Sequence, residues 1–443
     1  MTASRDPHRA GDSGPVAECR YGIDGTDSGI NEKFKSTFRT EIKSSEISTQ
    51  SCRERLLVTV MKEPKQSQAP IEDLGELKNY FTTHNVVKEY FAHTSKVHSV
   101  GWSCDGKKLA SGSFDKSVSI FTLERNRLVQ DFVFRGHTGS VDQLCWHATH
   151  PDLLSTASGD KSVRIWDTRT HKCIATIQTK GENINIAWSP NGSTIAVGNK
   201  EDLVSFIDTK TYKVVEEQFN FEVNEISWNL TSDLFFLTNG LGCVHILTNR
   251  ISDGGTSELM VRILHQHSIS QKSGYDGRRV DHQNSHSLDE MQQRKLLLHT
   301  CILYPGLELQ TVLKAHPGTC ICIEHDPTGR YFATGSADAL VSLWDVNELA
   351  CLRVFSRLEW PVRTLSFSFD GRLLASASED HVIDIGDTDT GEKVAEIPVQ
   401  AATFTVAWHP SRYLLAFACE DKEPAERKRD AGNLKVWGFS IGS

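Results

Sequence analysis

The sequence has 443 residues, 38% of them hydrophobic and 24% charged, with a formal net charge of −9. No apolar run approaches the roughly 18–20 residues of a membrane helix, and the opening MTASRDPHRAGDSGP lacks the apolar region of a secretory signal. Eleven cysteines, odd in number and without a CxxC pair, favour reduced thiols in cytosol or nucleus over a disulfide framework.

Residues 1–80 are rich in Ser, Thr, Gly and charge and poor in aromatics, so they read as a disordered N-terminal extension. Within them Ile47–Met61 is apolar enough for a docking segment, but its surroundings favour a solvated tail. Val86–Phe91 is different. It stands just before His93, as Leu128–Phe134 stands before Gly136-His137. Leu128–Phe134 is the outer strand of a preceding unit, whereas Val86–Phe91 has no preceding unit. It is expected to pair with Leu434–Phe439 and close a ring, which removes the open sheet edge.

Gly136–Asp167 is the unit on which the rest is patterned. It opens on Gly-His and closes on Trp-Asp. Val141, Leu144 and Trp146 are spaced for a strand entering a core. Leu153–Ala157 and Val163–Trp166 follow, separated by the tight turn Gly159-Asp160-Lys161. A Gly-His to Trp-Asp unit of about 40–45 residues is the signature of a four-stranded propeller blade. One blade cannot bury both faces of its sheet, so it demands neighbours. The last aromatic of the first strand recurs at Trp102, Trp146, Trp188, Trp228, His325, Phe367 and Trp408, at intervals of 40–44 residues except one of 97. The long interval contains one repeat plus a polar, His- and Ser-rich stretch without strand-like alternation. The expectation is an all-β, seven-bladed propeller over 86–439, with a loop insertion at 249–301 in blade 4.

Three blades share a polar set at fixed spacing. His93, His137 and His316 stand 22, 23 and 22 residues before Asp115, Asp160 and Asp338. Ser111, Thr156 and Thr334 occupy the matching strand position. Trp166 and Trp344 lie six residues after their Asp, where blade 1 has Phe121. A turn Asp can hold the imidazole N–H, the hydroxyl can bridge it, and the indole N–H can complete the chain. A hydrolase triad would use the same residue types. Recurrence in several blades, without a nucleophile elbow or oxyanion loop, marks these instead as structural groups, and no catalytic residue is assigned. The third blade has Glu201-Asp202 without a His, the fourth has Asn239-Gly240 at its turn, and the sixth has Asp380 with Gly386 in the Trp slot. These three are expected to rely on apolar packing alone.

Other candidate sites fall to simpler readings. Cys320 and Cys322 alternate on an expected strand, share one face and belong to the core. His265, His267, His282, His286 and His299 in the insertion lack the spacing of a closed zinc site. No metal or cofactor is expected. Trp166-Asp167-Thr168-Arg169 matches the W-D-x-R of propellers that dock on cullin-type ubiquitin ligase adaptors, but the repeat already requires Trp-Asp, so Arg169 alone is additional. The first 85 residues and 249–301 are each within one charge of neutral, so the propeller holds the −9. That disfavours tight binding to nucleic acid, though not a local basic patch. The residues just after the first core position of each inner strand are His98, Asp142, Ile184, Asn224, Ile321, Arg363 and Phe404. They are expected on the rim of the central channel, free of core duty, with Phe114 and Trp360 nearby. Trp360, Arg363 and Phe404 from adjacent blades form the candidate interface patch.

YFATGSADALVSLWDV (331–346) and FSRLEWPVRTLSFSFDGRLLASASEDHVIDI (355–385) resemble the WD-repeat family, as does most of 86–439 outside the insertion. Stretches such as TKGENINI (179–186) are not generic repeat consensus; they resemble the propeller subunits of THO-type complexes. The resemblance implies a nuclear, non-enzymatic scaffold that couples transcription to messenger-RNA packaging and export. Its partners would be other THO subunits and export factors, with RNA touched weakly or indirectly, and with no membrane or small-molecule substrate.

Overall fold

A computed structural model of the chain describes residues 68–249, 307–419 and 432–442. Among them seven antiparallel four-stranded sheets follow one another around a closed ring, the seven-bladed propeller that the repeats imply. The first strands, nearest the axis, are Val97–Trp102, Val141–Trp146, Asn183–Trp188, Val223–Trp228, Cys320–His325, Thr364–Phe367 and Thr403–Trp408. Each ends at the recurring aromatic landmark.

Burial is graded outward. Second strands such as Lys108–Ser113 and Tyr331–Ser336 are buried at every position after the first, because sheets pack on both their faces. Small residues therefore recur along them, as Ala-Ser-Gly-Ser in the first and Ala-Thr-Gly-Ser in the second. A Cβ at Gly112 would lie 2.7 Å from Val141 Cγ1 of the next blade, and one at Gly335 would lie 2.6 Å from Val362 Cγ1. Outer strands such as Lys172–Gln178 and Cys351–Phe355 are largely exposed, as the covered face ends there.

The ring closes as the register argument expects. Val86–Phe91 pairs antiparallel with Asn433–Phe439, from Val86↔Phe439 to Phe91↔Asn433, and so becomes the outer strand of blade 7. In blade 4 the third strand, Cys243–Asn249, pairs with Leu307–Lys314. The expected insertion and its five histidines lie between them and, apart from Asn249, outside the described residues. So do residues 1–67, including Ile47–Met61, and the charged loop 420–431.

The expectation of disorder through residue 80 needs correction. Leu74–Thr83 is a helix, α1. Asp73 caps it by accepting from the Glu76 amide at 2.8 Å, which satisfies a free N-terminal donor. Leu77 and Phe81, one turn apart, are buried in the core shared by blades 6 and 7. Phe81 stacks on Trp437 with centroids 4.6 Å apart. On the flanks Lys78 Nζ meets Glu392 at 2.7 Å, and the Gln68 amide donates to the Ser411 carbonyl at 2.8 Å. The signal was present as Asp73-Leu-Gly-Glu76 and the Leu74, Leu77, Phe81 spacing. Composition averaged over eighty residues hid it.

Candidate functional site

Antiparallel strands put the loops between blades and the turns between second and third strands at one end of the ring, here the upper end. The His–Asp sets lie there. His137 Nδ1 is 2.9 Å from Asp160 Oδ2, and His137 Nε2 is 2.8 Å from Thr156 Oγ1. The Trp166 indole N–H donates to that hydroxyl at 2.9 Å. Blade 5 repeats the chain, with His316 3.2 Å from Asp338 and 2.8 Å from Thr334, and with the Trp344 indole donating to Thr334 at 3.0 Å. In blade 1 His93 contacts Asp115 at 3.2 Å and the Ser111 hydroxyl at 2.9 Å. Phe121 offers no donor there, and Ser117 Oγ joins the set at 3.1 Å from His93 Nδ1. In blades 1 and 2 the Asp also takes a backbone N–H from the loop, Thr138 to Asp160 and Thr94 to Asp115, whereas in blade 5 the matching residue is Pro317, which has none to give.

Burial would raise the Asp160 carboxyl, but hydrogen bonds from Ser162, the Thr138 amide and His137 outweigh it and bring it down to about 2. Burial lowers His137, against the pull of Asp160. Replacing Asp160 or Asp338 with Ala strands a buried imidazole N–H and should cost about 1–3 kcal/mol each. Equilibrium unfolding checks this, and unchanged midpoints in both variants would remove the network from the stability of the fold.

Blades 3, 4 and 6 do not rely on apolar packing alone, contrary to the expectation from their missing residues. In blade 6 the Arg357 guanidinium forms a fork on Asp384, with both N–O distances at 2.7 Å. It fills the place of the absent indole: a Cβ at Gly386 would lie 2.4 Å from Arg357 Nη2. Asp380 instead accepts from the Glu359 and Trp360 amides at 3.0 and 3.1 Å and shapes the loop that carries Trp360. In blade 4 Asn239 Nδ2 lies 3.1 Å from His245 Nε2, and that ring stacks on Phe221. In blade 3 Asn183 Nδ2 donates to the Ser162 carbonyl of blade 2 at 3.2 Å. Arg357 stands one residue before Leu358, which takes the His place 22 residues before Asp380, so spacing locates the slot, but only the packing shows that the guanidinium fills the space of the missing indole.

The rim positions have a common cause. The first strands of six blades carry a register shift beside their first residue, as between Val97 and Ser99 or between Thr403 and Thr405. His98, Asp142, Ile184, Asn224, Ile321 and Phe404 are the extra residues. A bulged residue leaves the ladder and turns its side chain away from the pleat. The bulge also separates two cysteines expected on one face. Cys320 packs with Phe236 and Trp344, while Cys322 packs with Val362 and Leu365, in the cores on opposite sides of blade 5. Asn224 is not free of structural duty, because its side chain donates to the Cys320 carbonyl at 3.0 Å and its own carbonyl accepts from Asn185 at 2.6 Å.

Phe404, Trp360 and Phe114 are 38%, 54% and 60% exposed, on the consecutive blades 7, 6 and 1. Arg363 pairs with Glu379 at 2.8 Å, and its guanidinium carbon lies 6.0 Å from the Phe404 ring centroid. The His98 ring sits 6.1 Å from that of Phe114. Three neighbouring blades thus present water-exposed rings at the upper end, with a cation beside one of them, and such residues are common interface anchors. At the opposite end Arg169 is exposed and 3.5 Å from Asp167.

The channel on the axis is a cavity of about 460 Å³, lined by the first strands of all seven blades, His98, Asp142, Arg363 and Phe404 among them. Two of its residues went unnoticed in the sequence, Glu225 and Glu324. Gln143 Nε2 lies 3.3 and 3.4 Å from the two Glu225 oxygens. Burial pushes Glu225 up to about 7, and burial with the neighbouring Glu225 charge pushes Glu324 up to about 8. A carboxyl raised above its unfolded value stabilises the fold while protonated and loses that contribution as pH climbs through the folded value. The melting temperature should therefore fall from about pH 4.5, where the unfolded carboxyls ionise, to about pH 8, above which the loss is complete. Glu225→Gln with Glu324→Gln should flatten the fall, and an identical slope in that variant would contradict the assignment.

Comparison with known proteins agrees with the geometry. Residues 84–122, 129–167, 307–345 and 349–385 match the WD domain, G-beta repeat. Over 355 residues the chain is 42% identical to THO complex subunit 3 of Arabidopsis thaliana, spanning 80% of this chain and 95% of that relative. It is 27% identical over 389 residues to WD repeat-containing protein AAC3 of Dictyostelium discoideum, across 83% of this chain and 70% of the relative. The solved Cps50 (Swd1) β-propeller domain of Myceliophteria thermophila shares the fold at a TM-score of 0.59 and 16% identity, covering 80% of this chain and 100% of that domain. With one relative matched at this identity over nearly its whole length, the chain belongs to the THO complex subunit 3 family of WD-repeat β-propellers, which is non-catalytic.

Proposed function

We propose that this chain is a scaffold subunit of a nuclear THO-type complex, where it helps couple transcription to messenger-RNA packaging and export. The observation that carries the reading is the 42% identity to THO complex subunit 3 across 95% of that relative. The geometry supports it through a rigid ring with exposed anchors and a polar network that serves the fold rather than chemistry. The partners are other THO subunits and export factors, and the upper patch of Trp360, Arg363 and Phe404 is the docking surface for a larger subunit. The net charge of −9 supports weak or indirect contact with RNA.

Affinity purification of the tagged full-length chain from nuclear extract, followed by protein identification, tests the reading. THO subunits are the expected co-purifying proteins. A cullin and its adaptor in their place would support a ubiquitin-ligase substrate receptor reached through Arg169, and would overturn the scaffold reading.

A further inference from the structure

At the lower end of the ring, the joint between blades 7 and 1 gathers four cations. The turn between the third and fourth strands of blade 1 carries exposed Arg125 and Arg127. From the turn between the first and second strands of blade 7, Arg412 reaches across it. Its Nη1 donates to the Arg125 carbonyl and its Nη2 to Asn126 Oδ1, both at 3.4 Å. Lys88 Nζ donates to the Asn126 carbonyl at 2.9 Å and stands 4.5 Å above the Phe439 ring. Of the acids next to them in sequence, Glu124 lies 4.0 Å from Arg127, and Glu89 lies 3.7 Å from Lys435.

Arg412 is half-buried. Both its hydrogen bonds are long and go to neutral groups, and among the described residues neither it nor Arg125 makes an ion pair. A guanidinium removed from water without a counter-charge is a cost to the fold that an external anion can offset. Arg125 takes the left-handed position, φ +55°, that His171, Tyr212 and Leu349 take in the matching turns of blades 2, 3 and 5, and its side chain is exposed.

We propose that this joint binds carboxylates of an acidic segment of a partner protein, with Arg412 and Arg125 supplying planar forks and Lys88 and Arg127 flanking charge. Two observations favour protein over a nucleic-acid strand. Single strands bind where exposed aromatic rings stack on bases. Here the adjacent rings, Tyr80 and His84, are stacked on one another with centroids 3.9 Å apart. The chain's −9 also opposes a long polyanion more than it opposes a short segment carrying a few carboxylates. The inference does not depend on which complex the chain joins.

The test uses the full-length chain alone, with fluorescence anisotropy of a labelled oligo-glutamate peptide and, separately, a labelled oligo-uridylate of equal charge. The peptide should bind weakly and lose most of its affinity when salt rises from about 50 to about 200 mM. Arg125→Glu combined with Arg412→Gln should weaken it by about tenfold or more. Arg125→Glu alone, fully on the surface, should weaken it less while leaving the melting temperature unchanged, which guards against a folding artefact. Peptide affinity unaffected by Arg125→Glu would overturn the proposal. Tighter binding of the oligo-uridylate, lost in the same double variant, would overturn it in favour of a nucleic-acid contact.

Discussion

Replacing Phe81 with alanine should destabilise the propeller by about 3–5 kcal/mol, a large part of the roughly 5–15 kcal/mol that holds a typical domain. The ring is 4% exposed. It stacks on Trp437 and meets Tyr413 and Trp408 with centroids at 5.9 and 6.5 Å. Removing it leaves a cavity between three large aromatics that cannot close, because Trp408 and Trp437 belong to strands locked in the ring. Release of α1 from the ring limits the loss to the free energy of its docking. It would also expose Leu77 and break the tie between Lys78 and Glu392. Chemical denaturation monitored by tryptophan fluorescence reports both the midpoint and the environment of Trp437. A midpoint equal to that of the unmodified chain would show that α1 adds nothing to the ring.

The second large effect is on assembly rather than stability. Trp360→Ala combined with Arg363→Glu should keep the melting temperature yet fail to co-purify the complex. Trp360 is 54% exposed, and the Arg363–Glu379 pair is a surface contact with both side chains 37% exposed. A pair of that kind contributes little to stability. Interface anchors of these residue types are each worth about 2 kcal/mol or more, roughly thirtyfold in affinity per anchor. The reversed charge would also stand beside Glu379 and the Phe404 ring. Co-purification at the unmodified level would exclude this patch as the docking surface and move the search to the outer rim or the lower end.

The basic joint between blades 7 and 1 and the upper patch lie at opposite ends of the ring. If both are occupied, the propeller is held from two sides, one apolar and aromatic, the other charged. The two contacts would respond differently to salt, since screening weakens exposed ion pairs far more than buried rings. That difference offers a simple way to separate them within an intact complex.

Residue type and period alone determined the seven blades, the closure through Val86–Phe91 and the His–Asp–Thr–Trp sets of blades 2 and 5. These are local features repeated at fixed spacing. A strand's alternation, a turn Asp and the terminal aromatic of a first strand each depend on neighbours within about one repeat of chain. Position in the strand also marked His98, Asp142 and Phe404, since Val141, Leu144 and Trp146 are spaced three and then two apart, as a bulge requires. Only the tertiary structure decided what depends on partners far along the chain. α1 packs against residues more than three hundred positions away, Cys320 and Cys322 part to cores shared with blades 4 and 6, and Arg412 meets the Arg125 turn across the joint of the ring. None of these follows from spacing. Each is a contact that exists only once the first and last blades have been brought together or two neighbouring sheets have packed, when the space left by one side chain sets what its distant neighbour can be.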